Sequence, residues 1–283
     1  MQKKVRKCNK KGIPYDKEAK RLLTQVDMVS YIMHEQIDEY KNIPLKDIKN
    51  YLDIKKDKRY IETLNPIDDT VNGESIEYDV LITPRLPNSN EKIGLYIDLE
   101  AQNDTSPGYD LLNRAMYYSS RILSRQKGEA FTKADYNIKK VYSIWICTNP
   151  NKEMEDTINL YTFNEINIIG NYTREKDYKY INIIMINLGE GYDKNKINLL
   201  NALKIVFGKT NLEPRKQIEI LKKDYNINRE EKEVSHMSSL GEGLIYKGRL
   251  EGKAEGKVID VLKASMRNIE NKKKERSVLE GQS

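Results

Sequence analysis

A strand–turn–strand signature constrains this chain more than any other stretch. Residues 75–86, "SIEYDVLITPRL", and 93–103, "IGLYIDLEAQN", alternate in polarity and are rich in β-branched and aromatic residues, with the turn cluster "PNSNEK" (87–92) between them. The pattern specifies a β-hairpin. Side chains two apart share one face of a strand, so "YIDLEAQND" (96–104) sets Asp98, Glu100 and Gln102 in a row above Ile97, Leu99 and Ala101. Folding the hairpin symmetrically about its loop brings Asp79 close to opposite Glu100. Two facing carboxylates destabilise a sheet unless a cation or another partner offsets them. The row is therefore either a solvated sheet face or the ligand row of a metal site, and spacing alone leaves both open.

The flanking pattern alternates helix and strand. Leu22, Leu23, Val26, Val29, Ile32, Met33 and Ile37 recur at helical spacing and predict a helix over 17–40. "NIP" halts it before a short helix at 45–52, and 53–73 reads as charged loop with one short strand near "YIETL". After "NDTSPG", where Ser106 and Pro107 suit a helix start, "YDLLNRAMYYSSRILSRQ" is helical. Its predicted packing face is Leu111, Leu112, Ala115, Ser119, Ile122 and Leu123, with Arg114, Tyr117, Tyr118, Arg121 and Arg125 largely off it. Strands follow at "KKVYSIWIC", "TINLYTF" and "YINIIMINL", then helices near 195–208, 214–224 and 228–238. Trp145, inside its apolar strand, is predicted to be core. Glycines 248, 252 and 256 stand four apart in a charged C-terminal run, a spacing that would line one side of a marginal helix and could serve self-association.

Composition narrows the chemistry. Cys8 and Cys147 are the only cysteines and His34 and His236 the only histidines, which argues against a disulfide framework, a cysteine-rich zinc site and a Ser-His-Asp hydrolase. No GxxxxGK[ST] phosphate loop, HExxH or CxxC occurs. The longest apolar stretch, "INIIMINL", is well short of the roughly 20 residues that span a bilayer, and the basic N-terminus lacks a signal-peptide core, so the expectation is a soluble, cytoplasmic protein without membrane contact. A net charge of +6, with basic clusters at both ends, suits a polyanion such as DNA.

One reaction suits the acidic row. Phosphodiester hydrolysis needs a cation that activates water and offsets charge on the phosphate. Mg²⁺ takes hard oxygen ligands, usually one or two carboxylates with several waters. Asp79 and Glu100 on adjacent strands would supply those carboxylates, and Gln102 could orient the attacking water.

Four stretches taken together, "YDV" (78–80), "IDLEAQND" (97–104), "PGYDLLNRAMYYSSRILSRQ" (107–126) and "IKKVYSIWICTNP" (138–150), closely resemble the PD-(D/E)XK nuclease family transposases, the Rpn-type recombination-promoting nucleases. The resemblance covers roughly residues 15–260. It implies an α/β, restriction-endonuclease-like core with a mixed central sheet flanked by helices, plus a C-terminal helical extension. The implied division is a basic tail at 1–16, the nuclease-like domain at 17–210, a helical region at 211–240 and the glycine-spaced tail at 241–283. The implied activity is Mg²⁺-dependent (or Mn²⁺-dependent) endonucleolytic cleavage of DNA that leaves a 3′-hydroxyl, associated with recombination or mobile elements. Asp79 and Glu100 match the metal-binding acids, Ala101 would offer its backbone carbonyl, and Glu35 matches an acid that reaches the site in many members. Gln102 stands where the wider superfamily most often carries lysine, as is common in this branch. A neutral amide cannot supply lysine's charge beside the phosphate. Arg114 and Arg121 are candidates to supply it, and Tyr117 and Tyr118 could donate to phosphate or stack on bases.

Two other classes compete with this reading. One is a catalytically weak or inactive DNA-binding module that retains the fold. The other is an interaction protein whose tail drives assembly and whose acidic row is incidental.

Overall fold

A computed structural model describes residues 15–69, 75–89, 91–103, 107–175, 177–235 and 237. The basic tail through residue 14, His236 and the glycine-spaced tail lie outside the described residues.

Two helices stand where one was expected. α1 (Tyr15–Leu23) and α2 (Val26–Gln36) are separated at Thr24 and Gln25, and a 3₁₀ turn (Asp38–Tyr40) follows. The apolar periodicity runs through the break, but long-range pairing overrides it. Val26 N–H donates to Arg59 O, Ile61 N–H donates to Thr24 O, and Gln25 bridges to Tyr60. The "YIETL" segment is thus spent on isolated bridges to that break rather than on a strand. α3 (Leu45–Ile48) continues as a 3₁₀ turn over Lys49–Tyr51.

The first arm of the hairpin is divided. β1 (Ile67–Asp68), in a region read as loop, pairs with β2 (Ile76–Glu77), and only after a bend at Asp79 does β3 (Val80–Ile82) enter the main sheet. β3 pairs antiparallel with β4 (Tyr96–Gln102), matching Val80 to Leu99 and Leu81 to Asp98. Gly94 anchors that register. A Cβ there would sit 2.5 Å from Leu86 N and 2.7 Å from Pro84 O, so only glycine permits this approach.

α4 (Leu111–Arg125) crosses over to β5 (Val141–Cys147), parallel to β4. Its cap is Asp110, whose side chain accepts from Leu112 N–H, so the helix starts later than Ser106 and Pro107. β6 (Thr157–Thr162) and β7 (Ile181–Asn187) complete a five-stranded mixed sheet of order β3-β4-β5-β7-β6. β5 and β7 are parallel, and β6 runs antiparallel to β7 at the sheet's edge. α5 (Leu199–Val206) and α6 (Pro214–Tyr225) follow, and the backbone is helical again over 231–235. The fold is mixed α/β with helices flanking the sheet. The helical region at 211–240 is, through Met237, part of the same compact unit as the sheet; Tyr225 packs edge-on against Tyr31 of α2. Among the described residues no helix is long and apolar enough to cross a membrane.

The α4 side of the sheet is a closed apolar layer of Tyr78, Leu81, Tyr96, Val141, Trp145 and Met185 beneath Leu111, Ala115, Tyr118 and Ile122. Trp145 is fully buried, as predicted. The buried face of α4 is wider than the predicted one, because Tyr118 and Arg121 also turn inward. On the opposite face Ile97, Leu99, Ile144, Ile146, Ile184 and Ile186 are equally buried. Parallel strands covered on both faces read as near-continuous apolar runs, which is what "VYSIWIC" and "INIIMIN" are.

Candidate functional site

The acidic row is not a wet sheet face. Asp98 is fully buried and Glu100 is 3% exposed, both on the α4 side of β4. Extending the β3–β4 register by one residue puts Asp79 opposite Glu100, and hydrogen bonds lock the pair. Asp79 N–H donates to Glu100 Oε1 at 3.0 Å, and Ala101 N–H donates to Asp79 Oδ2 at 3.0 Å. The bend at Asp79 arises here, because its side chain takes up a backbone donor of the neighbouring strand.

Asp98 is held from below. Ser143 Oγ, the register partner on β5, donates to Asp98 Oδ2 at 2.8 Å, and Trp145 Nε1 donates to Ser143 Oγ at 2.8 Å. Asp98 Oδ1 receives no such donor. Burial pushes the Asp98 carboxyl up to about 7, against the lowering effect of Ser143 and of a hydrogen bond shared with Glu100. Burial, and then the charges of Asp98 and Asp79, hold Glu100 well above the usual carboxylate range. Burial and mutual repulsion thus favour the protonated form of both carboxyls more than in water.

The nearest cation comes from α1, which packs against β4. Lys20 Nζ lies 3.1 Å from Asp79 Oδ1 and 3.1 Å from Glu77 Oε1, with its side chain one-third exposed. Burial disfavours its charge, but the two carboxylates more than offset this, so the ammonium is held above the ordinary lysine value. At the other end of α1, Tyr15 Oη donates to Thr148 Oγ1, and Thr148 N–H donates to the Gln102 carbonyl. α1 therefore sits over the carboxyl ends of the parallel strands β4 and β5, where open α/β sheets bind their ligands.

The other expected site residues divide. Gln102 lies partly exposed at the end of β4, on the face of Glu100. Arg114 reaches the rim, with its guanidinium 5.4 Å over the Trp145 ring and 4.9 Å over Tyr118, hydrogen bonds to the Tyr109 and Tyr118 hydroxyls, and a charge that lowers Asp98. Tyr117 is exposed, and its hydroxyl accepts from Arg121. Tyr118 and Arg121 are corrections. Tyr118 packs edge-on against Tyr78 inside the core, and Arg121 is 4% exposed and ion-paired with buried Asp68 of β1 at 3.2 Å, so neither presents a surface to DNA. Their neighbours on β1 and just after β2 could not be foreseen from helical spacing. Glu35 lies on α2. It is half-buried and pairs with His34 Nδ1 at 2.9 Å, whereas the helix whose side chain meets Asp79 is α1.

Lys20 and Ser143 are the residues missed, and Asp98, placed in the row from the sequence, gains a partner in Ser143. Lys20 is one of many lysines and nothing local distinguishes it. Ser143 did carry a signal, since a small hydroxyl buried in an apolar strand needs a buried partner.

The donor set fits a hard divalent cation. The acidic atoms at Asp79 and Glu100 are carboxylate oxygens, the chemistry of Mg²⁺ or Mn²⁺ rather than zinc, and the charges that act on Glu100 are those of the acids Asp98 and Asp79. Among the described residues no three His, Cys, Asp or Glu side chains converge to hold a metal by themselves. Two carboxylates, with water and a substrate phosphate completing the shell, are a usual complement for Mg²⁺.

The buried pair sets a pH dependence. A carboxyl whose folded value lies above its unfolded 3.8 costs no stability below 3.8, and its full cost is reached above about 7. In EDTA the Tm is expected to fall from pH 4 to pH 7.5, and Asp98→Asn to flatten that fall. A wild-type Tm level across this range would refute the shift.

No protein-family model, curated protein or solved structure matches this chain, and its chemistry is therefore read from its own residues.

Proposed function

We propose that this protein is a metal-dependent DNA endonuclease with a restriction-endonuclease-like core. The observation that carries the reading is the Asp79–Glu100 pair, bound together across β3 and β4, with Glu100 buried and held well above the usual carboxylate range beside two other acids. Asp79 and Glu100 would hold Mg²⁺ or Mn²⁺, and the ion would supply an activated water and offset charge on the phosphate. Gln102 orients the attacking water. Lys20 contributes the positive charge that Gln102 cannot, from a helix upstream of the hairpin rather than from β4. Arg114 and Tyr117 at the rim meet the DNA backbone. Attack in line on phosphorus expels the 3′ oxygen as a hydroxyl. A role in recombination or mobile elements belongs to the same reading.

The test is nicking of supercoiled plasmid with Mg²⁺, Mn²⁺ or EDTA. Cleavage that persists in EDTA would remove the metal from the reading. Lys20→Met is expected to slow nicking about 100-fold, the usual size of losing one electrostatic contact to developing charge. Lys20→Arg should recover part of that rate. In Ca²⁺, Lys20→Met should also reduce the salt slope of DNA binding by about 1, as loss of one phosphate contact does. An unchanged rate and slope would show that Lys20 serves Asp79 only structurally.

A further inference from the structure

We infer that the free edge of β6 is where two copies of this chain pair. β6 closes one end of the main sheet, bonded to β7 on one side only. Its outer edge presents unpaired backbone donors and acceptors, which natural proteins usually guard with charge, proline or a covering element. β6 carries no charge or proline, and no element covers this edge among the described residues. Between Thr157 and Tyr172 the single charged residue is Glu165, in a chain that is 33% charged. Residues 159–162 are exposed on both faces of the strand, because α4 packs over β5 and β7 and stops short of β6. Leu160, Tyr161 and Phe163 are exposed, and the loop beyond them carries Ile166, Ile168 and Ile169, the last two 92% and 94% exposed.

The area and the charge favour a second copy as the occupant. Six large apolar side chains at roughly 100 Å² each give about 600 Å² per copy. A stable complex takes roughly 800 Å² from each partner, and the strand's backbone and small polar residues supply the remainder. An edge strand is complementary to itself when antiparallel, since a two-fold axis brings each backbone donor to its own acceptor. Centred on Leu160, the pairing sets Leu160 against its own copy, Asn159 against Tyr161 and Ile158 against Thr162. The neutral strand lets two chains of net charge +6 meet without repulsion at the contact. The two five-stranded sheets become one. This pairing is independent of the nuclease reading and of the glycine-spaced tail.

The experiment is sedimentation velocity of the full chain from 1 to 100 µM. The expected result is a species of twice the 33.0 kDa chain mass that grows with concentration. The doubly substituted Leu160→Lys, Ile168→Lys protein should keep the wild-type circular dichroism, because both side chains are exposed, and should dimerise at least 100-fold more weakly. Leu160→Cys should form a disulfide-linked dimer on mild oxidation, since facing residues of an antiparallel pair stand about 4.5–5.5 Å apart. A wild type that stays single to 100 µM overturns the inference. So does a dimer that survives the lysine substitutions, or a monomer whose β6 amides resist exchange because another occupant covers them.

Discussion

Glu100→Ala is expected to abolish Mg²⁺-dependent plasmid nicking, by about 1000-fold or more, while leaving the protein folded. Glu100 meets every element of the site: Asp79 through the backbone hydrogen bond, Asp98 through its charge, and, on the proposed reading, the ion that it and Asp79 would hold. If Glu100 and Asp79 hold the cation, one carboxylate alone would not keep it beside the phosphate, and the contributions of metal and electrostatics to the barrier would be lost together. Stability should move the other way. A buried carboxyl held far above its ordinary range is a cost to the fold, so Glu100→Gln, which keeps the shape and removes the charge, is expected to raise the Tm near neutral pH and still fail to nick. This opposition separates a site residue from a structural one. Full activity in Glu100→Gln would refute the metal–carboxylate mechanism. A cooperative loss of fold in Glu100→Gln would show that the acid is structural instead.

The second large effect lies at the base of α1. Glu233 gathers three arginines: Arg21 Nη1 at 2.6 Å, Arg229 Nε at 3.2 Å, and the guanidinium of Arg59. Arg229 and Glu233 are buried, so removing the carboxylate leaves charge without a counter-charge, which typically costs 3–5 kcal/mol. Glu233→Gln is expected to destabilise by about 3 kcal/mol, a fall in Tm of about 10 °C for a unit of this size. Burial opposes ionisation of Glu233, but the Arg21 hydrogen bond and the charge of Arg229 win and hold it at about 2. Its contribution is therefore complete above the unfolded value of 4.5 and is lost as pH falls towards 2. Calorimetry of Glu233→Gln at pH 7 decides the matter, and a change in Tm under 2 °C would show that the arginines find other partners. Because this network seats the helix that carries Lys20, the same substitution should also slow nicking.

The network explains why α1 was hard to place. Local periodicity reports which side of a helix is apolar, and 17–40 reads as one helix on that ground. It is silent on the pairing of Thr24 and Gln25 with residues 59–61, which splits the helix and leaves α1 free to lie over β4. The same limit explains α4. Tyr118 and Arg121 have polar ends that suggest a wet face, yet Asp68 of β1, Tyr78 just after β2 and Trp145 of β5 draw both inward.

By itself the sequence determined the hairpin, the crossover helix, the apolar strands that follow, and the opposition of Asp79 to Glu100. These depend on alternation and turn chemistry, which act over a few residues. Tertiary structure alone decided the environment of that row. Burial depends on what packs above a strand, so only the fold shows that α4 shuts Asp98 and Glu100 away from water and raises both. Charge compensation depends on distance in space, so only the fold shows that the cation beside Asp79 is Lys20, 59 positions earlier in the chain. The neutral Gln102 marked the charge that β4 lacks, and α1 brings that charge to the row from outside the strand.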